Sequence, residues 1–578
     1  MKSNKSKKAK RPVPAAIAVD ARPGLEWWVY AACALAAVFL VFEIYWPAIH
    51  GPFLLDDTHL DYMLPRAANR PLSLWIGGPR PLLMFSYWLN FQQSGVQDTF
   101  SYHLTNVILH LFNGAFILLA LGKVLGWAGV DTAKRWILAL FASGLFLLHP
   151  LQTESVTYIA SRSETLSVFW ILLALVVFLY RKTDEVSFPR ACVILTIFGA
   201  AVLTKEHTVV LPVLLLVTDY FWNPGFSLAG IRRNWKLYLP FAGAAALGAL
   251  YVLRILRSGG TAGFHVQGLA WYAYFFTECR VLWDYLRLFV LPFGQNLDPQ
   301  VGLSRSLLSH GAVFGLAALL AVTVLAWIYR RRFPLASYGW FIFLILIAPT
   351  SSFVPIRDTM AERRLYLPFI GLLFITVEFL RRWKTSRNVL IAVLSAVLLA
   401  ESVFTYQRNE LWASAIDIWK DTVAKSPTKY RPRFQLAYVY YQAGQCSDAA
   451  EQYERTAKLT KRPEADLLLD WALADDCAGR PEDALAKLKL AAQKLPTAHI
   501  YSQIGMEYGK MGRYPEALDA LATAQKKSPR FGMTYFYLGN IYSIQGNRDQ
   551  AIEEYRRAVA LDPGNQPAQD ALARLGVR

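Results

Sequence analysis

Charge and cysteine are both scarce in this sequence. Only 18% of its 578 residues are Asp, Glu, Lys or Arg, against about a quarter in an ordinary soluble chain. Five cysteines, scattered at 33, 192, 279, 446 and 477, exclude a dense disulfide scaffold. No CxxC or Cys/His spacing marks a zinc site. Cys33, Cys192 and Cys279 lie in apolar runs, which predicts buried, inert thiols. There is no Walker loop, GxSxG elbow, dinucleotide fingerprint or kinase signature, so nothing points to a cytosolic nucleotide-driven enzyme. The N-terminal apolar run, 27–46, is too long for a cleavable leader and ends at no small-residue cleavage site. The expectation is an uncleaved first helix behind a basic tail, 1–26.

What is abundant is hydrophobicity: 54% of the residues are apolar, and the mean hydropathy is +0.27. Eleven segments read as membrane spans, at 27–46, 102–122, 136–149, 165–180, 190–204, 207–222, 237–256, 311–329, 336–353, 364–380 and 388–405. The net charge of +18 is carried mostly by this apolar part, while the charges from Gln407 onward nearly balance. A basic excess in membrane loops reads as cytoplasmic, not as nucleic-acid binding. Lys123, Lys134, Arg135, Arg181, Lys182, Arg190, Arg232, Arg233, Lys236, Arg330–Arg332 and Arg381–Arg387 then all fall inside, provided that 257–310 contributes zero or two crossings. Segment 264–298 is apolar but carries Glu278, Arg280, Asp284 and Arg287. It reads as a re-entrant hairpin or an interfacial helix. This parity puts the N-terminus in the cytoplasm and the C-terminal part outside.

From about residue 409 the chain repeats roughly every 34 residues. Gly444, Gly479, Gly512 and Gly546 recur, each followed by Ala449, Ala484, Ala517 and Ala551, and Pro496, Pro529 and Pro563 close repeats. The pattern is that of tetratricopeptide repeats, with small residues for close helix packing and a half-repeat around Ala415–Pro427. The expected organisation is a tail over 1–26, a polytopic domain over 27–406 and a repeat domain over 407–578 that binds extended polypeptide on its concave face. The fold class is all-α.

Several polar segments share the outer side. Asp56-Asp57 follows an apolar run; Asp56 is the candidate general base and Asp57 its helper, a helix cap being the structural alternative. Arg80 begins a surface helix over 80–91, and Arg suits bidentate phosphate binding. His149, Glu154, Arg162 and Glu164 form a second group, Lys205-Glu206 a third, with Glu206 expected to orient Lys205. Glu362-Arg363-Arg364 places basic residues where the charge rule disfavours them, so an anion such as a lipid phosphate is expected there. A divalent cation (Mg or Mn) on Asp56 and Glu206 is the metal alternative.

Taken in order, Asp56-Asp57, Arg80-Pro81-Leu82 to Asn90, Tyr102–His110, His149-Pro150 with Thr153-Glu154 and Arg162, Lys205-Glu206, Ala361–Pro368, Arg408-Asn409 with Trp412, and the repeats resemble the transmembrane and tetratricopeptide repeat-containing O-mannosyltransferases. Gln152, Ser161 and His207 depart from that family's usual residues. The resemblance implies a GT-C-type membrane enzyme of a bacterial inner membrane, with periplasmic repeats. It implies transfer of a sugar from a polyprenyl phosphate, with inversion, to Ser or Thr hydroxyls of exported proteins. Asp56 is then the base, Arg363 and Lys205 the leading phosphate ligands, Arg80, Arg162 and Arg364 secondary ones, and Glu206, Glu154, His149 and Glu362 supporting groups. Two other readings of the residues stand beside it: a membrane-anchored repeat scaffold without catalysis, and an enzyme acting on lipid-linked glycan or lipid A.

Overall fold

The computed structural model describes residues 27–577 apart from 64–66, 68–69, 258–262, 265 and 267; the expected basic tail lies outside the described residues. Among the described residues no strand forms. All eleven predicted segments are helical: Trp27–Tyr45, Phe100–Trp127, Thr132–Leu148, Arg162–Leu179, Phe188–Val202, Leu211–Trp222, Trp235–Arg257, Ala312–Ile328, Pro334–Ile347, Phe369–Arg382 and Arg387–Trp412. Among the described residues five stretches are long and apolar enough to cross a membrane unaided: Trp27–Ala48, Phe100–Trp127, Ile159–Leu179, Ser309–Ile328 and Arg387–Trp412. A sixth forms if Thr132–Leu148 is joined to the bent Pro150–Thr157. Of the rest, Phe188–Val202, Leu211–Trp222, Pro334–Ile347 and Phe369–Arg382 are shorter, at 12 to 15 residues. A helix of fourteen residues, such as Pro334–Ile347, is about 21 Å long, less than the ~30 Å hydrocarbon layer.

The loops sort into two ends. At one, Lys134 donates to the Arg381 carbonyl at 2.8 Å, Arg381 to the Ala128 carbonyl at 3.1 Å, and Arg233 and Lys236 pair with Asp184 and Glu185 at 3.0 and 2.9 Å. The basic loops therefore meet one another. At the other end lie 54–60, 80, 149–164, 204–207, 355–364 and the start of the repeats. Helix Trp271–Val290 bonds to the second end at three points. Tyr274 Oη donates to the Thr350 carbonyl at 2.6 Å, Tyr285 Oη bonds Ala361, and the Phe289 carbonyl faces His149 Nε2 at 3.0 Å. Every one of those partners belongs to the acidic-and-arginine end.

Between Pro334–Ile347 and Phe369–Arg382, Gly339 and Gly371 face each other so closely that a Cβ on either would strike the other's carbonyl oxygen. Small residues let membrane helices approach in this way. Outward faces carry exposed Leu35, Phe39, Phe314, Leu320 and Leu399, which suits lipid. Cys192 is exposed and Cys33 half-buried on such faces, against the expected burial; Cys279 is buried.

Helix Arg387–Trp412 runs unbroken past the expected domain boundary at 406 into the helix Ala415–Lys425 and the repeats. Four helix pairs follow, from Tyr430–Gln442 with Cys446–Ala457 to Gly532–Ile544 with Arg548–Leu561, then Gln566–Arg574. The recurring Gly444, Gly479, Gly512 and Gly546 are turn residues, not packing residues: each has φ of 73–78°, the left-handed cap a helix end needs. Close packing falls instead to Ala449, Ala484, Ala517 and Ala551, all fully buried. Cys446 and Cys477 form a disulfide between the first two repeats, with Cα atoms 5.5 Å apart.

Candidate functional site

The turn holding the two aspartates is short and strained. Leu55 has φ +48°, a left-handed value that a branched residue adopts at a cost of about 1–3 kcal/mol. Asp57 locks it. Its Oδ2 accepts from the Leu54 N–H at 2.9 Å and its Oδ1 from the Ala160 N–H at 2.6 Å. The side chain is buried, and burial raises its pKa well above the usual carboxylate range despite those bonds. Asp57 is thus the cap, not a second catalytic group. Asp56 is the opposite case: exposed, with its backbone N–H donating to Tyr158 Oη at 2.8 Å, while no described residue donates to its carboxylate.

Three predicted cations gather on the same end. Arg80, just before helix Pro81–Ser94, holds Glu206 with two bonds of 3.0 and 2.8 Å. Lys205 pairs with Glu164 and donates to Ser163 Oγ at 3.1 Å. Glu206 therefore orients Arg80, and Glu164 takes the role with Lys205 that Glu206 was expected to play. Burial lowers the Lys205 pKa against the pull of Glu164, and Arg80 and Arg363 push it the same way as burial. Lys205 thus feels the charge of both arginines. Arg363 pairs with Glu154, which also accepts its backbone N–H at 3.0 Å. Its guanidinium lies 6.0 Å from the ring of Tyr158. One tyrosine thereby touches both the Asp56 backbone and Arg363.

Other predicted residues are turned inward. Arg162 is fully buried, donating to Asn106 Oδ1 at 2.8 Å, Asn90 Oδ1 at 2.6 Å and the Tyr102 carbonyl at 2.8 Å, with the Tyr87 ring 4.5 Å away. Its forks are spent on holding three helices together. Arg364 does not snorkel; it is buried and bonds Tyr274 Oη and the carbonyls of Asp358 and Thr359. His149 Nδ1 accepts from the Leu151 N–H at 3.2 Å, which makes it a turn clamp. Glu362 accepts from the Asn296 N–H at 2.6 Å and from Gln295 at 3.0 Å. A cation shared by Asp56 and Glu206 does not fit these residues, because Arg80 engages both Glu206 oxygens, and among the described residues no three His, Cys, Asp or Glu gather as ligands.

Two participants escaped sequence reasoning. Tyr158 carries no charge and stands between the charged Glu154 and Arg162. Asp358, 3.8 Å from Arg363 and 2.9 Å from Arg431, was visible only as one acid in a charged loop.

A tetratricopeptide repeat family model matches residues 503–566. Among curated proteins, the chain is 24% identical to protein O-mannosyl-transferase F38B6.6 of Caenorhabditis elegans over 66% of this chain and 53% of that one. It is 24% identical to human TMTC3 over 84% of this chain and 54% of that protein, and 26% identical to human TMTC1 over 66% and 48%; both are named protein O-mannosyl-transferases. The chain spans about half the length of the curated relatives it matches. Among solved structures, MamA is 22% identical over 27% of this chain and 91% of its own, with a TM-score of 0.24. The TPR protein YrrB is 19% identical over 31% and 87%, also at 0.24. In its helical membrane-type part and its repeats the chain is similar to these protein O-mannosyl-transferases.

Proposed function

We propose that the chain is a GT-C-type glycosyltransferase that moves mannose or another hexose from a polyprenyl phosphate to Ser or Thr hydroxyls of exported proteins, which its repeats bind. The observation that carries this reading is the exposed Asp56 carboxylate, to which no described residue donates, beside a tyrosine that also faces Arg363. Asp56 takes the hydroxyl proton as that oxygen bonds to the anomeric carbon, and the bond from that carbon to the phosphate oxygen breaks with inversion. The departing phosphate monoester gains a negative charge. Arg363, Lys205 and Arg80, at the same end of the helices as Asp56, are the groups that bind it, and charge-assisted bonds of this kind are the strong ones.

The reading also assigns sides. Basic loops at one end of the helices support a cytoplasmic face there, in a bacterial inner membrane, with the site and repeats outside. The Cys446–Cys477 disulfide supports an oxidising compartment for the repeats.

Transfer to an acceptor peptide tests the base. Asp56→Asn is expected to lose about 10²–10⁴-fold in rate while melting like the wild type. Asp57→Asn is expected to lower the melting temperature, because it loses a buried cap. Undiminished transfer by Asp56→Asn would remove Asp56 from the mechanism.

A further inference from the structure

Arg431 belongs to the first turn of the first repeat helix, Tyr430–Gln442, yet its guanidinium reaches two acids outside the repeats. Nε donates to Asp298 Oδ2 at 2.7 Å and Nη2 also contacts Asp298. Nη1 meets Asp358 Oδ1 at 2.9 Å. The other oxygen of Asp358 stands 3.8 Å from Arg363 Nη2, beyond hydrogen-bond length. Asp358 is therefore shared between two arginines and held by Arg431. Asp298 is buried and also takes Lys429, at 2.5 Å, so the Arg431 end of this chain of charges is anchored.

The arrangement matters for Arg363. Glu154 already occupies its backbone N–H and Nη1. Were Asp358 to turn wholly toward Arg363, both sides of the guanidinium fork would be neutralised, and an incoming phosphate would have to displace a second carboxylate. Arg431 competes for that carboxylate. We infer that Arg431 is a positioning residue for the donor: it draws Asp358 away and leaves Nη2 of Arg363 open to the phosphate of a polyprenyl phosphate. The inference rests on the reading of Arg363 as a phosphate ligand, and it makes the first repeat part of the donor site as well as of acceptor binding.

Binding of polyprenyl phosphate to the full chain in nanodiscs tests it. Arg431→Gln is expected to weaken Kd about tenfold, the scale of one charge-assisted bond. Adding Asp358→Asn to Arg431→Gln is expected to restore Kd to within about twofold, because an amide no longer neutralises Arg363. If Arg431 merely braced the domain contact, losing its second partner would not help, so a double variant no better than Arg431→Gln overturns the inference. An unchanged Kd in Arg431→Gln does the same. Lys429→Gln removes another Asp298 pair without touching Asp358 and is expected to bind like the wild type; a loss equal to that of Arg431→Gln would move the effect to Asp298 and sink the proposal. Should Arg431→Gln fail to fold, Asp358→Asn alone is expected to bind at least as tightly as the wild type, and weaker binding refutes the idea. Arg363→Gln separates the two levels. If it binds normally, the phosphate-site reading falls and the inference with it; if it binds weakly while Arg431→Gln does not, the inference falls alone.

Discussion

Glu362 and Arg363 are neighbours with opposite fates. Arg363 keeps part of its surface exposed, whereas Glu362 is buried and holds the Asn296 N–H and the Gln295 side-chain amide. Burial raises the Glu362 pKa to about 7, against Arg408 and with the help of Glu154. A carboxyl whose pKa is raised on folding stabilises the native state fully below its unfolded value, and that contribution is lost as pH rises through the folded value. The melting temperature is therefore expected to fall as pH rises from about 4.5 to about 7. Glu362→Gln keeps an acceptor for the Asn296 N–H and cannot ionise, so its melting temperature should fall less across that window. An unaltered slope would assign the titration to another buried acid. The sequence marked Glu362 as polar and near the site; its burial came from a loop more than sixty residues away in the chain, which no local pattern records.

At the scale of elements, the long apolar runs were legible because a span needs only length and hydrophobicity. Their ends were less so. Phe188–Val202 stops short because the chain must turn at Thr204–Glu206 to present Lys205, and Pro334–Ile347 stops short of the loop that carries Asp358. The contact between Pro334–Ile347 and Phe369–Arg382 depends on two glycines with no room for a Cβ. Gly371→Val is expected to lower stability by about 1–3 kcal/mol through overpacking, read as an earlier melt in detergent. Because this pair adjoins the Glu362–Arg364 turn, the loss should be accompanied by weaker polyprenyl phosphate binding. A variant that melts like the wild type would show that the helices can separate without cost. The repeat glycines carry a different lesson: the period was plain, but only backbone dihedrals distinguished a turn position from a packing position.

For the whole molecule, the basic loops at one end and the repeats at the other make a topological prediction. A reporter fused after Arg578 is expected to behave as exported, and one in the Arg330–Arg332 loop as cytoplasmic. Cys446 and Cys477 are expected to resist alkylation in intact cells until a reductant is added. Replacing both with Ser should cost the repeats about 4 kcal/mol, as expected for a link spanning 31 residues. Free thiols at both positions in untreated cells would place the repeats in a reducing compartment and invert the assignment.

Hydropathy, loop charge and a period near 34 residues were enough to determine an all-α chain in two parts, because each depends only on neighbours along the sequence. The candidate base was also readable, since a pair of acids after an apolar run is anomalous wherever it occurs. Which acid is free, which arginine faces the site and which lysine pairs with which glutamate were decided by tertiary packing. Asp57 found the Ala160 N–H, Arg162 found Asn90 and Asn106, and Arg431 found Asp358. Each partner lies tens of residues away, and burial leaves a polar group with whichever partner the fold brings within hydrogen-bond reach.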